Sequence, residues 1–264
     1  MRPQSFALLA AALFAACGVA CAEEACPAVL HLALPSVPNK REQQEDTPIR
    51  HVLDELIPEF ARRAGTQIQL EFMPRVRAFA ELRHGSVDLV PMATRTMERD
   101  GFAQMVVMGR IKAMLIMRKP VAPHPVSSDE LLAGSMRVVV VRGQEFGPHF
   151  DALLVKLQKL GRLDSVADQL IAVRMLKAGH TDAILGLPAF FAPMLDTEGL
   201  AEQTEAVDGD LIESVDEGLY MSSKLPAACR ARLQAAGETL RSNGFYRSLL
   251  NRFIPPTQRG AFID

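Results

Sequence analysis

The sequence contains no tryptophan and only two tyrosines, Tyr220 and Tyr246. That shortage argues against an aromatic platform for stacking sugars or nucleic-acid bases. The sequence also lacks a dominant charge sign. Lys and Arg total 29 against 31 Asp and Glu, for a net charge of −2, and the two signs are interspersed. No basic stripe of the kind that phosphate backbones require is present, so no nucleic-acid partner is expected. There is no phosphate loop, no Gly-rich dinucleotide fingerprint and no Gly-x-Ser-x-Gly turn. The six histidines, His31, His51, His84, His124, His149 and His180, are scattered, and none stands at a metal-ligand spacing from another. Cys26 lies near His31, but one Cys and one His fall short of a zinc site. No metal, no cofactor and no catalytic residue is expected. Asp54 and Glu55 fall on the polar side of a helix, and Glu202, Glu205, Asp208 and Asp210 form an acidic, solvated run.

The clearest positive signal is at the N-terminus. Arg2 is followed by an apolar run, Phe6 to Ala16, and by the small-residue triplet Ala20-Cys21-Ala22. The run is too short to span a bilayer, and the triplet suits signal peptidase. Residues 1–22 read as a secretory signal cleaved after Ala22, with the product in the periplasm. A lipoprotein signal is the alternative, with Cys17 or Cys21 acylated, although Phe14 and Gly18 stand where a lipobox has Leu. Loss of 1–22 removes one basic residue and no acid, so the mature chain is one unit more negative. No later stretch is apolar enough to cross a membrane. Cys26 and Cys229 remain after cleavage. An even pair in an oxidising compartment is a candidate disulfide, with two independent buried thiols as the other reading.

The mature chain alternates strand and helix patterns. Val29–Leu34 reads as a strand, followed by a loop, Pro35–Lys40, and a polar stretch, Gln43–Asp46. Thr47 caps a helix with Pro48 at its first position, and Gly65 stops it. Pro58 predicts a kink or a restart within that helix. Ile68–Phe72 alternates as a strand, Val76–His84 is a helix ending at Gly85, and Val87–Met92 is a buried strand. Arg110–Lys119 reads as one longer strand. Ser127 and Glu130 form a capping box. Val138–Val141 is a strand, Phe150–Leu157 a helix stopped by Gly161, and Ser165 the cap of the next helix. Asp182–Leu187 is a strand, Pro188 opens another helix, Ala206–Ser214 is extended, and Pro226–Phe253 is helical with a break at Asn243-Gly244. The pattern predicts a mostly parallel α/β fold. Pro120–Ser128 is the candidate crossover between lobes, with a second near Val215–Met221.

Arginines recur at the ends of these strands. Arg75 and Arg77 follow one, Arg95 and Arg99 another, and Arg142 a third. In open α/β sheets ligands bind beyond the carboxyl ends of strands, where guanidinium groups favour a carboxylate or phosphate. Thr94 and Gln144 can add neutral hydrogen bonds. Solvated surface arginine is the alternative for each one.

At these residues the sequence resembles a family. Met73-Pro74-Arg75-Val76-Arg77 through Leu82, Gly85 and Asp88 is similar to the P-x-x-R-x-x-x-x-L-x-x-G-x-x-D run of family 3 extracellular solute-binding proteins, the periplasmic type 2 binding proteins of amino-acid ABC transporters. Thr94-Arg95-Thr96-Met97-Glu98-Arg99 resembles their T-x-T-x-E-R segment, and Arg142-Gly143-Gln144 the turn that opens the second lobe. Leu176 through Gly179, Asp182 and Ala183 match L-x-x-G-x-x-D-A, and Ser222–Pro226 with Asn243-Gly244 fits the family ending. The resemblance implies a two-lobed α/β fold with two hinge strands, lobe 1 from residues 23–118 and 217–264 and lobe 2 from 119–216. It implies a monomer that captures a small polar or anionic ligand, an amino acid or a carboxylate, for an ABC permease, without turnover. Its ligand-binding set is Arg77, Thr94, Arg95, Arg99, Arg142, Gly143 and Gln144, with Arg99 clamping a carboxylate and sharing a cleft with Arg77. Two features depart from the family. Gly186, Leu187 and Pro188 stand where amino-acid binders carry an Asp for the ammonium group, and Pro35-Ser36-Val37-Pro38 replaces an early stacking aromatic. The alternatives are a secreted dehydratase-like enzyme on the same scaffold and a ligand-sensing partner of a membrane receptor.

Overall fold

A computed structural model describes residues 26–35, 47–120, 126–207 and 213–263. The 1–22 signal, the loop after Pro35 and the Gln43–Asp46 stretch lie outside the described residues. The elements are β1 (Val29–Pro35), α1 (Pro48–Ala64), β2 (Gln67–Met73), α2 (Arg75–His84), β3 (Leu89–Thr94), α3 (Met97–Asp100), β4 (Ala103–Ile111), β5 (Met114–Arg118), α4 (Ser128–Ala133), β6 (Val138–Val141), α5 (Pro148–Lys159), β7 (Leu163–Val166), α6 (Gln169–Ala178), β8 (Ala183–Gly186), α7 (Pro188–Thr197), β9 (Thr204–Val207), β10 (Val215–Ser222), α8 (Ala227–Ser242), α9 (Phe245–Phe253) and β11 (Phe262–Ile263).

Two sheets define two lobes. The first runs β11-β4-β10-β3-β1-β2 and the second β7-β6-β8-β5-β9. Both are mixed rather than mostly parallel. β1 pairs in parallel with β2 and β3, and β6 with β7 and β8. The pairs made by β10, β11 and β5 are antiparallel. β4, β5 and β10 flank the crossings between lobes and β11 closes the first sheet at its edge, and helix–strand alternation carries no signal for the direction of any of them.

The crossing points differ from the expected boundaries. Arg110–Lys119 is not one strand. β4 ends at Ile111 in the first sheet, and β5 begins at Met114 in the second, where it lies between β8 and β9. The chain thus changes lobe at Lys112-Ala113, before the 118/119 boundary and before Pro120–Ser128. β10 belongs wholly to the first sheet from Val215 onward, so the return precedes residue 216. Apolar content alone could not divide Arg110–Lys119, because both halves are buried strands.

Local signals place most elements. Thr47 Oγ1 accepts from Arg50 N at 3.1 Å, Pro48 fills the first turn of α1, and Gly65 closes the helix at φ +63°. α1 buries Ile49, Val52, Leu53, Leu56, Ile57 and Phe60 along one face, packed against α8 and α9. That face carries the helix through Pro58 as one 17-residue element, with no restart. Ser165 lies in β7; α6 is capped instead by Asp168, whose Oδ1 accepts from Ile171 N at 2.9 Å. Cys26 and Cys229 form a disulfide with Cα atoms 4.5 Å apart, joining the residues before β1 to α8 across 203 positions.

Candidate ligand-binding cleft

A cavity of about 390 Å³ opens between the lobes. Lobe 1 contributes the end of β1 (Leu34), the end of β2 (Phe72), the middle of β3 (Pro91, Met92) and the first turns of α1 and α2. Lobe 2 contributes Val141 at the end of β6, the following turn, and the starts of α6 and α7. First-turn residues of four helices line one space, namely Ile49 and Arg50, Arg75 and Val76, Gln169, and Ala189 and Phe190, and α1 and α7 also reach it from their second turns through Leu53 and Met194.

Among the described residues, three guanidinium groups line the cavity. Arg50 donates from Nε to Asp54 Oδ1 at 2.6 Å and lies 5.6 Å from the centre of the Phe72 ring. Arg75 donates from Nη2 to the Met92 carbonyl at 3.1 Å. Burial, reinforced by the neighbouring Arg99 guanidinium, lowers Arg75 to about 10, which still leaves it charged at neutral pH. Arg142 is exposed and has no side-chain partner among the described residues. Met92 holds φ +50°, a left-handed conformation that is rare for a residue with a side chain. Its strained backbone carries the carbonyl that receives Arg75.

The remaining lining is largely apolar, with Phe72 and Phe190 as its aromatic faces and Gln144 and Gln169 as its amides. Gln144 Oε1 is buried without a hydrogen-bond partner. No carboxylate is among the described lining residues. The Gly186 position enforces this locally. A Cβ there would meet the Phe191 ring at 2.8 Å and Gln144 Oε1 at 3.2 Å, and Leu187 is buried. The two aromatic rings of the described lining come from β2 and α7.

Of the expected site residues, Arg142 and Gln144 line the cavity, and Gly143 closes against it. Gly143 has φ +78°, and its α-carbon faces Val76 across the cleft closely enough that a Cβ would lie 3.3 Å from Cγ2. Thr94 and Arg99 are buried in the lobe interface and are absent from the cavity lining. Arg77 and Arg95 are elsewhere. Arg77 is exposed and paired with Glu81 at 3.3 Å, and Arg95 pairs with Asp216 at 3.0 Å and Asp100 at 3.7 Å. Arg77 and Arg99 therefore do not share the cavity. Two residues along α2 correspond to about 200° of rotation, so Arg75 at the helix start faces the cleft and Arg77 does not. Sequence reasoning left Arg50, Phe72, Gln169 and Phe190 out of the site, and it named Arg75 among the strand-end arginines without placing it in the ligand-binding set. The available signal was position: each lies at a strand end or in the first turn of a helix that follows one.

Beneath the cavity lies a charged layer. Arg99 Nη1 donates to the Thr94 carbonyl at 2.8 Å and to Thr94 Oγ1 at 3.0 Å, and its Nη2 is 3.3 Å from Glu145 Oε1. Its guanidinium carbon sits 4.1 Å from the centre of the Phe79 ring. Thr94 Oγ1 also donates to the Glu145 carbonyl at 2.5 Å. Burial pushes Arg99 down and Glu145 up, each toward its neutral form, and their mutual attraction opposes this. Tyr220 fixes the turn that carries Arg99, accepting from Thr96 N at 3.2 Å and donating to Asp100 Oδ1 at 2.8 Å. On β10, the buried Glu217 accepts from the Tyr246 hydroxyl at 2.9 Å, and burial raises it to about 7.

No family model matches this sequence, and no curated protein does. Solved structures do match it. A histidine kinase sensor domain with similarity to periplasmic binding proteins is 15% identical, with a TM-score of 0.66, and the match covers 89% of this chain and 97% of that one. An ancestral arginine-binding protein bound to arginine is 15% identical, at TM-score 0.65, over 88% of this chain and 100% of that one. An amino-acid ABC transporter substrate-binding protein from Streptococcus pneumoniae bound to L-arginine is 16% identical, at TM-score 0.65, over 85% and 93%. Two sheets joined at two crossings, with a cavity between them, and near-complete coverage of these structures together give this chain the two-lobed type 2 fold of periplasmic solute-binding proteins.

Proposed function

We propose that this chain is a periplasmic solute-binding protein that captures a small organic anion with an apolar body, presenting it to an ABC permease. The observation that carries this reading is the composition of the cleft. Three arginines and first-turn residues of four helices line one cavity whose described lining holds no carboxylate. Such a lining favours a carboxylate and opposes an ammonium or guanidinium group. The ligand therefore differs from the arginine held by two of the structural neighbours. The apolar lining and the Phe72 and Phe190 rings suit an aryl or branched alkyl acid better than a purely polar solute. The titratable groups among the described lining are arginines, so the cavity offers binding without an acid–base pair. Export with cleavage after Ala22, action as a monomer and the lobe limits at residues 112–113 and before 215 complete the proposal. The disulfide supports an oxidising compartment.

Titration calorimetry with phenylacetate, succinate and L-arginine tests the ligand class. Phenylacetate binds measurably, succinate binds more weakly, and L-arginine gives no heat of binding. A ligand at a hundredfold its dissociation constant adds about 2.7 kcal/mol of stability, which a thermal-shift assay resolves. Binding of L-arginine without binding of either acid would overturn the assignment.

A further inference from the structure

The pairing of Arg99 with Glu145 crosses from one lobe to the other. Arg99 follows β3 of lobe 1, and Glu145 lies in the turn after β6 of lobe 2. The Thr94 hydroxyl bridges the same gap to the Glu145 carbonyl. Arg99 is only 5% exposed, and Phe79 covers one face of its guanidinium. A guanidinium so placed requires an anion, because a buried unpaired charge is strongly disfavoured. The chain supplies that anion itself. The other charged groups near Glu145 are Arg75, Glu98 and Asp151, and of the two arginines among its neighbours, Arg99 is the one in ion-pair contact.

We propose that Glu145 is a specificity-determining residue of the cleft: its carboxylate occupies the buried Arg99 guanidinium, closes that position to solute carboxylates, and leaves ligand anions to Arg75 and Arg142. A second consequence follows from the same contact. One link between the lobes is made by the chain's own side chains, so part of the closing force does not depend on the ligand. The inference concerns an occupied arginine, not the identity of the solute, and it holds whether or not the cavity takes the aryl acid proposed above.

The test is chemical replacement of the missing carboxylate. Glu145→Ala removes the γ-methylene and the carboxylate and keeps the β-carbon, so a short-chain carboxylate can take the vacated space; propionate, one carbon longer than the group removed, serves as the probe. Propionate is titrated into wild type, Glu145→Ala and Glu145→Ala/Arg99→Lys, with binding read by calorimetry and by the shift in melting temperature. The expected result is at least about tenfold tighter propionate binding by Glu145→Ala than by wild type, and loss of most of that gain in the double variant, where the planar fork is gone. Equal propionate affinity in wild type and Glu145→Ala, or a gain that survives Arg99→Lys, overturns the proposal. So does the absence of binding to both proteins, since an uncapped buried guanidinium would have to take the ion. If Glu145→Ala does not fold in plain buffer, its recovery in propionate but not in equimolar chloride supports the proposal, and failure to recover overturns it. Phenylacetate binding by wild type is measured alongside. If it fails while propionate rescue succeeds, the cavity assignment falls and the Glu145 assignment stands.

Discussion

Replacing Glu217 with Gln should remove a pH dependence from the stability of the protein. Glu217 is 1% exposed on β10, with the Tyr246 hydroxyl 2.9 Å from its Oε2. Burial raises its pKa from the ordinary 4.5 to about 7, against the opposing effects of the Tyr246 hydrogen bond and the Arg75 charge. Below pH 4.5 the carboxyl is protonated in both folded and unfolded chains and contributes no difference. Between pH 4.5 and 7 the unfolded chain ionises freely while the folded chain retains the proton. Stability therefore falls as pH rises through this window and levels off above it. At about 1.4 kcal/mol per pKa unit, the loss totals about 3 kcal/mol. Glu217→Gln cannot ionise, and its amide oxygen still accepts from Tyr246. Urea unfolding of both proteins at pH 5, 6, 7 and 8 isolates the effect, because the histidines and other carboxyls are common to both. The difference in unfolding free energy should move toward the variant by about 2–3 kcal/mol between pH 5 and pH 8, part of the total having been lost below pH 5. Parallel profiles, or movement in the opposite direction, would refute the burial argument.

Arg142→Ala should weaken binding of an anionic ligand by roughly tenfold to a hundredfold, the range for a lost charged hydrogen bond, with little change in melting temperature because the side chain is exposed. Arg77→Ala should leave affinity unchanged, and calorimetry on the two variants separates the two positions. Cys229→Ser should lower unfolding free energy by about 2–5 kcal/mol, measured by urea denaturation under oxidising conditions, whereas reductant should destabilise wild type and leave the variant unaffected. Gly218→Ala should prevent folding or lower stability severely, because its Cβ would lie 2.0 Å from the Val106 carbonyl oxygen in the central β10–β4 pair, and circular dichroism of the purified variant would reveal it.

Much of the architecture was legible because the signals were local. Thr47, Pro48 and Gly65 bracket α1 at its observed ends, and the Ser127–Glu130 capping box forms as its spacing implies. The exchange between sheets was not legible, because Met114–Arg118 and Ala103–Ile111 are both apolar and only their partners differ. At the site, strand-end position pointed to the Arg142 turn, which lines the cavity. It could not choose between Arg75 and Arg77, which depends on where α2 begins, nor between a free and an occupied Arg99. The latter turns on Glu145, a residue 46 positions away whose carboxylate reaches the arginine through tertiary packing. Arg50 was hidden for a similar reason: α1 reads as a helix packing on the core, and its first turn faces the cleft only once lobe 2 is in place.

The two halves of the molecule are not equivalent in order of synthesis. The second sheet draws its five strands from one uninterrupted stretch, Met114 to Val207, which is complete before the last fifth of the polypeptide is made. The first sheet cannot be assembled until β10 arrives to insert between β3 and β4, and its covalent tie waits for Cys229 to meet a partner near the beginning of the chain. A ribosome-stalled or truncated product ending before residue 215 would thus carry one finished lobe and one with a gap at its centre, exposing β3 and β4 along their unpaired edges to chaperones or to aggregation.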